Sequence, residues 1–473
     1  MNEIVKGPEV DATQEDSTAA LVEAQRAFFR TGATRDLEFR KRQLRKLRDA
    51  ITENEDAIIE AVRQDLGRPR SEIWTSEIGV VLVEIDHALR HLSSWAKPKR
   101  VSTPLLLQPG SSRIQYEPLG CVLIISPWNY PFNLAIAPLV AALAAGNIAI
   151  VKPSELASNT AAAIMRIIGG AFAREQVAVV EGGVAETQAL LDQRFDHILF
   201  TGGGKVARIV MAAAAKHLTP VTLELGGKSP CIVEKDANLD VAARRIAWGK
   251  FLNAGQTCIA PDYLLVHSSV KQALTERIVR AVGKSFGKDP RQSKDYSRII
   301  NAQHFKRLTG LIGNAPLITG GESDEAERYI APTLIDDVGW DDAVMADEIF
   351  GPILPVLTYD DLDEAMARIE SRDKPLALYF FSNDKTAHAK VAERLSAGGI
   401  SINDTLAQFV NLRLPFGGVG ESGMGAYHGK TGFDTFSHAK PVVTRSNWPD
   451  PSVKYPPYRT PLAFLKWMLR HTM

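Results

Sequence analysis

From residue 119 onward, short apolar runs alternate with stretches of helical periodicity, and this alternation constrains the fold more than any other feature of the chain. The runs include "GCVLIIS", "NIAIVKP", "HILFTGG" and "VTLELGG". Buried strands separated by helices form βαβ units, whose strands lie parallel in one sheet. The sequence therefore predicts an α/β fold with a doubly wound parallel sheet.

A second alternating region begins near residue 230. Its expected strands are "CIVEK", "DYLLVHS", "EIFGPILPVLTY", "PLALYFFS" and "GISIND", and its expected helices lie near 239–251, 269–285, 361–371 and 385–396. Residues 18 to about 98 carry apolar residues at three- and four-residue spacings, which is typical of helices. The segment 99–118 fits neither pattern, and we expect an extended arm or hairpin that reaches across a subunit boundary.

Composition narrows the class of protein. Lys plus Arg and Asp plus Glu are balanced at 55 each, and no basic tract is interleaved with aromatic residues, so nucleic acid is not an expected partner. The three cysteines form neither a disulfide framework nor a C-x-x-C pair, which argues against a zinc site and for a reducing, cytoplasmic compartment. The N-terminal residues lack the pattern of a secretory signal, and no apolar run approaches the ~20 residues that span a bilayer.

The C-terminal stretch "PLAFLKWMLRHTM" is apolar with Lys466 and Arg470 interspersed. We expect this tail to pack on the body of the protein or on a partner subunit. A weak amphipathic contact with a membrane is the alternative, which we do not expect.

Cys258 differs from the other two cysteines. Cys121 and Cys231 lie in apolar runs, where cysteine behaves as a small buried hydrophobe. Cys258 follows Gly-Gln-Thr in the polar segment "FLNAGQTCIAP". A lone cysteine is more often structural than catalytic, so its environment alone leaves its role open.

In an open parallel sheet, ligands bind outside the carboxyl ends of the strands. The stretch "TGGGKVA" places Gly202, Gly204 and Ala207 in a G-x-G-x-x-G/A pattern between a strand and a helix, which favours a dinucleotide pyrophosphate. The acid about 20 residues further on is Glu224, which by this count alone would contact the ribose. A plain glycine turn is the alternative.

The stretch "VKPSE" ends another strand and carries Lys152 and Glu155, which are suited to ribose hydroxyls or phosphate. A helix capped by Ser154, with Lys152 and Glu155 in solvent, explains the same residues equally well.

Taken together, "SPWNYPF", "VKPSE", "VTLELGGKSP", "NAGQTC", "EIFGP" and "PFGGVGESGMG" resemble the aldehyde dehydrogenase superfamily in composition and order. The resemblance covers residues 20 to 445, and "GAYHGKTGFDTFSH" is similar to the class 3 and fatty-aldehyde branch. It implies a Rossmann-type cofactor domain, a second α/β catalytic domain and a small bridging arm.

The resemblance also assigns roles to individual residues. It makes Cys258 the nucleophile, Glu224 the general base rather than a ribose ligand, and Asn129 a donor to the oxyanion. The cofactor positions that it implies are Lys152, Glu155, Gly202, Trp128, Glu348 and Phe350. Ala207 departs from the glycine of most relatives, and the tripeptide Gly203-Gly204-Lys205 is unusual at the phosphate turn.

The implied organisation has five parts. They are a mobile tail (1–17), an NAD(P)-binding domain (18–98 and 119–225), a catalytic domain (226–430), and bridging or oligomerisation segments (99–118 and 431–473). By analogy the protein is a homodimer.

The implied reaction oxidises an aldehyde to a carboxylic acid with NAD(P)⁺ and water, through a cysteine thioester. We expect NAD to be preferred, because the Glu155 carboxylate would repel a 2′-phosphate, and NADP to be tolerated; no metal is expected. Tyr130, Trp128 and Phe409 are candidates to line an apolar aldehyde tunnel. No arginine or lysine is clearly placed to hold a substrate carboxylate, so medium- or long-chain aliphatic or aromatic aldehydes are the expected substrates.

Three other functions compete with this one. An acylating relative would pass the acyl group to coenzyme A or phosphate, but such enzymes generally lack the base at Glu224. A non-catalytic binding protein of the same fold would not need Cys258, Glu224 and Asn129 together. A cysteine hydrolase would need a histidine partner, and none accompanies the Cys258 motif.

Overall fold

Helices account for most of the N-terminal third of the chain in the computed structural model, which describes residues 12–472. Of the predicted tail, 1–17, residues 1–11 lie outside the described residues. The first helix begins at Ala12. In chain order the α-helices are α1 (Ala12–Arg30), α2 (Leu37–Glu53), α3 (Glu55–Leu66), α4 (Arg70–Ile73), α5 (Gly79–Trp95), α6 (Asn133–Ala145), α7 (Ser158–Ala171), α8 (Val184–Leu191), α9 (Gly204–Ala215), α10 (Leu239–Phe251), α11 (Lys271–Phe286), α12 (Ala302–Ile312), α13 (Leu362–Glu370), α14 (Lys385–Arg394), α15 (Ala407–Val410), α16 (Gly429–Thr435) and α17 (Leu462–Thr472). A π-helical turn, Trp74–Ile78, joins α4 to α5.

Strands of the described chain fall into two large sheets and two small ones. In chain order they are β1 (Lys99–Val101), β2 (Gly110–Pro118), β3 (Cys121–Ile125), β4 (Ile148–Lys152), β5 (Val177–Val179), β6 (His197–Thr201), β7 (Val221–Glu224), β8 (Pro230–Val233), β9 (Tyr263–His267), β10 (Leu317–Thr319), β11 (Ser323–Asp324), β12 (Tyr329–Ile330), β13 (Thr333–Ile335), β14 (Ile353–Tyr359), β15 (Ala377–Phe381), β16 (Gly399–Ile402), β17 (Gly423–Met424) and β18 (Ser437–Arg445).

The first large sheet has the order β17-β7-β6-β3-β4-β5, and only β17 runs antiparallel to its neighbour. From β3 the chain moves outward through β4 and β5, then returns to the other side of β3 with β6 and β7. The strand order therefore reverses between β3 and β6. A crevice opens at the carboxyl ends of strands at such a reversal, and ligands of doubly wound folds bind there.

Helix α6 shows why this sheet is stable. Every residue of α6 is buried, and the helix packs between the sheet and the N-terminal helices. Its sequence is almost wholly apolar, as expected for a helix covered on all sides. It ends at Gly146, whose φ of 93° is the left-handed conformation that glycine adopts at helix ends.

The second large sheet has the order β10-β13-β14-β9-β8-β15-β16, parallel throughout except for β10. A third sheet consists of β1, β2 and β18. In it, β18 pairs with β2 along nine residues, from Ser437↔Pro118 to Arg445↔Gly110. The segments 99–118 and 431–473 therefore contact each other. The predicted α/β architecture, with two α/β units and a bridging sheet, is confirmed.

The structure corrects several local predictions. The strand expected over 348–359 begins only at Ile353, because Phe350 has a φ of 50° and Pro352 has no N–H to give to a ladder. Helices α8 and α12 were not predicted. Among the described residues, no helix is long and apolar enough to cross a bilayer.

Candidate active site

The loop that carries Cys258 is held by buried polar side chains. Gln256 is fully buried; its Nε2 donates to the carbonyls of Asn253 (3.1 Å) and Arg298 (3.0 Å), and its Oε1 accepts from the Ile300 N–H (3.0 Å). Asn253 and Ala254 have left-handed backbone angles, with φ of 51° and 50°. The polarity of "NAGQTC" is thus explained by hydrogen bonds that fix the backbone before the thiol.

Asn129 is tied to the same loop. Its side chain is buried, and its Nδ2 donates to the carbonyl of Gln256 at 3.0 Å. In return, Asn253 Nδ2 donates to the Asn129 carbonyl at 2.8 Å. Asn129 Nδ2 carries a second N–H, and the described residues offer it no acceptor. This arrangement places an amide donor beside the loop of Cys258.

Cys258 and Glu224 line one cavity of about 680 Å³, the catalytic cavity. Tyr130 and Phe409 also line it, as predicted for a tunnel. Trp128 does not: its ring packs edge-on against Phe350, with 5.3 Å between the ring centroids. Trp128 therefore does not contribute to the wall of this cavity, contrary to the tunnel hypothesis, and it supports the ring of Phe350 instead.

Glu224 ends strand β7 and is buried. Neither of its carboxylate oxygens has a hydrogen-bond partner among the described residues, and the same holds for Oγ1 of Thr201, its register partner on β6. Burial without a partner raises the pKa of Glu224 well above its ordinary value. A carboxyl group in this state holds a proton more tightly than one in water.

The thiol of Cys258 also favours its protonated form in the ligand-free protein. Burial, followed by the nearby carboxylates of Glu348 and Glu224, raises its pKa to about 12, although the backbone N–H groups of Cys258 and Ile259 oppose this. Those two N–H groups favour negative charge on the sulfur. The thiol therefore needs a proton acceptor before it can act as a nucleophile.

No histidine is among the described residues that line the catalytic cavity. The described lining of this cavity therefore lacks the Cys–His pair of a simple cysteine hydrolase. Within residues 12–472, no group of three or more His, Cys, Asp or Glu side chains has the arrangement of a metal site.

A second opening, the cofactor groove, measures about 600 Å³ and has Gly203, Gly204, Gly226 and Glu348 in its lining. Helix α9 begins at Gly204 without a side-chain cap, so its first N–H groups remain available to an anion. A Cβ on Gly226 would lie 1.9 Å from Glu348 Oε2, so only glycine fits there. The groove has the backbone donors and the close approach that a dinucleotide requires.

The loop that carries Glu348 is clamped by Lys228 and Asp262. Lys228 Nζ donates to Asp262 Oδ2 (2.5 Å) and to the Asp347 carbonyl (2.8 Å), and the Ile349 N–H donates to Asp262 Oδ1 (2.8 Å). Burial, with Asp262, raises the pKa of Glu348 to about 8, while the Gly227 N–H, Lys228 and Lys250 oppose that shift. Burial thus raises the pKa of both glutamates, but Glu348 is only half-buried and has partners.

The other predicted cofactor residues are not among the residues that line the groove. Lys152 is buried at the end of β4; its Nζ donates to the Pro153 carbonyl (2.9 Å) and lies 3.8 Å from Glu155 Oε2. Burial lowers the pKa of Lys152, and Glu155 opposes this shift. The Gly202 N–H donates to the Glu224 carbonyl at 3.0 Å, which joins the phosphate turn to the catalytic strand. Ala207 is buried in α9, so its methyl group is accommodated.

Sequence reasoning missed Tyr427. This side chain lines the catalytic cavity and is buried, and its hydroxyl forms no hydrogen bond with any described residue. Burial, followed by Glu224 and Cys258, raises its pKa. Tyr427 lies in "GAYHGK", a motif that supported the resemblance, but no spacing rule connects it to Cys258.

The fold and these two openings define an α/β enzyme in which a thiol and a buried carboxyl group line one cavity, and Leu225 lines both that cavity and the cofactor groove. Residues 3–442 match the model of the aldehyde dehydrogenase family, and the chain belongs to that family. It is an NAD(P)-dependent oxidoreductase that oxidises aldehydes.

Three relatives show the branch. The chain is 51% identical over 443 residues to 4,4'-diaponeurosporen-aldehyde dehydrogenase of Staphylococcus aureus (93% of this chain, 96% of the relative). It is 50% identical over 420 residues to aldehyde dehydrogenase family 3 member A2 of Mus musculus (89% and 87%). It is 47% identical over 443 residues to the dimeric NADP-preferring aldehyde dehydrogenase of Rattus norvegicus (93% and 98%).

A solved structure gives the same result for the fold. The substrate-bound state of Staphylococcus aureus AldH superposes with a TM-score of 0.93 at 50% sequence identity, covering 95% of this chain and 99% of that one. The predicted family, its class 3 branch, the fold and the enzyme class are therefore confirmed.

Proposed function

We propose that this enzyme oxidises medium- or long-chain aliphatic or aromatic aldehydes through a covalent bond to Cys258, and that water activated by Glu224 releases the acid. The observation that carries the proposal is the presence of Cys258 and Glu224 in one cavity, with both oxygens of Glu224 unpartnered among the described residues. A carboxylate with no competing donor is free to accept a proton from the thiol or from water.

In the first step the Cys258 thiol gives its proton to the ionised form of Glu224, and the sulfur bonds to the aldehyde carbon. The carbonyl oxygen becomes an oxyanion, which the Asn129 amide and the Cys258 backbone N–H would stabilise. Loss of hydride from that carbon leaves a thioester on Cys258.

Before the second step Glu224 releases the thiol's proton to solvent. In the second step the ionised Glu224 takes a proton from water, the resulting hydroxide bonds to the thioester carbon, and Glu224 returns its proton to the departing Cys258 sulfur. The carbon–sulfur bond then breaks, and the carboxylic acid leaves. A base that activates water favours hydrolysis over transfer to coenzyme A or phosphate, so Glu224 supports the hydrolytic reaction over the acylating alternative.

NAD(P)⁺ supplies the hydride acceptor when it is bound. The glycines of the cofactor groove and the uncapped start of α9 fit a pyrophosphate, and Glu348 and Phe350 fit the nicotinamide end, where Trp128 supports the Phe350 ring. Lys152 and Glu155 would hold a ribose. The Glu155 carboxylate supports a preference for NAD, with NADP accepted; the rat relative is named as NADP-preferring.

A homodimer and a cytoplasmic location complete the proposal. Exposed apolar residues in the bridging region include Leu105, Phe464 and Trp467, and α17 lies beside the turn Leu105–Leu107. A partner subunit would cover such a surface, and the rat relative is named as dimeric. All three cysteines are free, which suits a reducing compartment.

The test is an absorbance assay for reduced cofactor over a panel of aldehydes, with NAD and with NADP, without coenzyme A and with phosphate omitted. We expect turnover with medium- and long-chain aldehydes and a higher kcat/KM with NAD. An absolute requirement for coenzyme A or phosphate would contradict hydrolysis. A kcat/KM strongly favouring NADP would contradict the cofactor preference.

A further inference from the structure

Arg68 carries a fully buried guanidinium, and the proposed reaction gives it no role. The residue lies between α3 and α4, and its side chain has no exposed area. A buried charge is costly unless it is paired and hydrogen-bonded. Arg68 is paired with two carboxylates: its Nε donates to Glu72 Oε1 (2.9 Å), and its Nη1 donates to Glu77 Oε1 (2.5 Å). Its Nη2 donates to Ser76 Oγ.

Glu72 connects this guanidinium to the backbone that precedes the thiol. The carboxylate oxygen that accepts from Arg68 also accepts from the N–H of Asn253, at 3.1 Å. Asn253 is fully buried, and its φ of 51° is a conformation that a residue other than glycine keeps only when its surroundings hold it. Its Nδ2 donates to the carbonyls of Asn129 (2.8 Å) and Gln256 (3.2 Å). A chain of hydrogen bonds therefore runs from Arg68 to the Asn129 backbone.

Tyr130 forms a second connection between Arg68 and the loop of Cys258. The guanidinium carbon lies 4.5 Å from the centroid of the Tyr130 ring, which is a cation–π contact. The hydroxyl group of Tyr130 forms a hydrogen bond with Thr257 Oγ1 at 2.8 Å, and Thr257 immediately precedes Cys258 in the chain. Both Tyr130 and Thr257 are buried. The position of the Cys258 backbone N–H therefore depends on where the ring of Tyr130 lies.

Glu77 joins the guanidinium to the segment that follows Asn129. Glu77 is fully buried, and its Oε2 accepts from the N–H of Asn133 at 2.8 Å, where α6 begins. Asn133 Nδ2 donates in turn to the Ser76 carbonyl at 3.2 Å. Burial raises the pKa of Glu77 to about 7, and Arg68 is the first of the groups that oppose this shift. The pair thus connects the π-helical turn to the end of the loop that carries Asn129.

These three connections lead to the two segments that carry the proposed oxyanion donors. The Asn129 amide belongs to the loop between β3 and α6, and the Cys258 N–H belongs to the loop between α10 and β9. Charge-assisted hydrogen bonds are stronger than neutral ones, and more so in an interior from which water is excluded. A displacement of about 1 Å at a reacting group can lower a rate about 100-fold. One buried guanidinium therefore governs the spacing of two donors from separate parts of the chain.

We propose that Arg68 is a positioning residue for aldehyde oxidation, which holds the Asn129 amide and the Cys258 N–H in the arrangement that stabilises the oxyanion. This inference rests on the proposed function, since it takes those two groups as the oxyanion donors. Arg68 is not among the residues that line the catalytic cavity, so it acts through its partners and not on the aldehyde. Its replacement should therefore slow the chemical steps and leave cofactor binding unchanged.

The first test compares two buried arginines. Arg40 is the matched control: it is buried on α2, it donates to the backbone carbonyls of Thr34 (2.8 Å) and Ala144 (3.4 Å), and it lines neither the catalytic cavity nor the cofactor groove. Rapid mixing measures the burst of reduced cofactor, and calorimetry measures the Kd for NAD. Arg68→Lys should lower the burst rate and kcat by about 10-fold and leave the Kd unchanged. Arg40→Lys should change none of the three.

A double-mutant cycle with Asn129→Ala separates positioning from a general structural effect. If Arg68 acts through the Asn129 amide, Arg68→Lys should lower kcat by only about 3-fold once that amide is gone. An effect that agrees in the two backgrounds to within about 2-fold, as independent sites do, would overturn the proposal, and a larger difference supports it. If Asn129→Ala alone keeps full kcat, the oxyanion donor assigned in the proposed function is the part that fails.

Amide hydrogen exchange tests Arg68 without any turnover, so it still decides its role if the wild type reduces no cofactor and the proposed function is refuted. The N–H of Asn253 donates to a carboxylate that Arg68 holds. Arg68→Lys should therefore raise the exchange rate of a peptide covering 252–258 by about 5-fold or more. Tyr130→Phe, which keeps the ring and removes the hydroxyl, should raise it less, and Arg40→Lys should leave it unchanged. Unchanged exchange in both Arg68→Lys and Tyr130→Phe would refute the proposal.

Discussion

The catalytic cavity and the cofactor groove each contain a glutamate whose pKa is raised by burial, but the two carboxyl groups differ in their partners. Glu224 has no hydrogen-bond partner among the described residues, and burial alone raises its pKa. Glu348 is half-buried, and the Gly227 N–H, Lys228 and Lys250 favour its charged form. An unpartnered carboxyl group is suited to moving protons, and a partnered one to holding a ligand. The same side chain thus serves two purposes because its surroundings differ.

Of the changes considered, removal of the Cys258 thiol should lower the activity most. Cys258→Ala should lower turnover by at least about 1,000-fold, because no other described residue in the lining of the cavity carries a thiol, while calorimetry should show NAD binding intact. Cys231→Ala is the matched control; its thiol is buried in β8, so the variant should keep full activity and lose about 1 kcal/mol of stability. Appreciable turnover by Cys258→Ala would refute the covalent mechanism.

The two glutamates can be separated by the step that each one slows. Glu224→Gln should form one equivalent of reduced cofactor in a burst and then turn over about 100- to 10,000-fold more slowly, because water is no longer activated. Glu348→Gln should instead slow the burst and weaken cofactor binding. Rapid-mixing absorbance measures both phases. Normal cycling by Glu224→Gln would show that another group is the base.

A smaller effect is expected at the ribose end of the groove. Glu155→Gln removes the charge that opposes a 2′-phosphate, so the ratio of kcat/KM for NADP to that for NAD should rise by about 3- to 10-fold. Glu175→Gln, at an exposed site in the turn before β5, is the control and should leave the ratio unchanged. The same ratio in both variants would mean that Glu155 does not face the ribose.

Glu84 is a third carboxyl group whose pKa is raised by burial, and it lines neither the catalytic cavity nor the cofactor groove. It therefore shows what burial does to a carboxyl group away from both openings. Burial raises the pKa of Glu84 to about 7, although the Gly429 N–H donates to it at 2.7 Å. Since the folded state holds this proton more tightly than the unfolded chain, Glu84 costs stability as the pH rises from its ordinary value of 4.5 to about 7.

Glu84→Gln keeps the acceptor for the Gly429 N–H and removes the charge. The variant should therefore be more stable than wild type by about 1 kcal/mol near pH 8 and close to wild type near pH 5. Urea unfolding at the two pH values measures the difference. A gain that does not depend on pH would show that the charge of Glu84 is not the cause.

The alternation of strands and helices was sufficient to predict the architecture, because each buried strand is a continuous apolar run. It failed at 348–352, where Phe350 adopts a left-handed backbone angle that composition does not reveal. Cys258 and Glu224 were assigned through the resemblance to a family, since spacing alone had given Glu224 to the ribose. The structure brings both into one cavity, while their roles stay predictions.

Site residues that come together only through tertiary contacts could not be predicted from the sequence. Tyr427 lies beside Cys258 only because the chain returns to the first sheet after the second one is complete. Side chains that meet only through folding leave no periodic pattern to detect.

The pairing of β2 with β18 has a consequence for synthesis of the chain. About 320 residues separate Pro118 from Ser437, and ribosomes add roughly 5–20 residues per second, so β2 waits roughly 15–60 seconds for its second neighbour. During this delay one edge of a nine-residue strand is open to pairing with other nascent chains. Arg113 and Glu117, charged residues on β2, would discourage such pairing while translation continues.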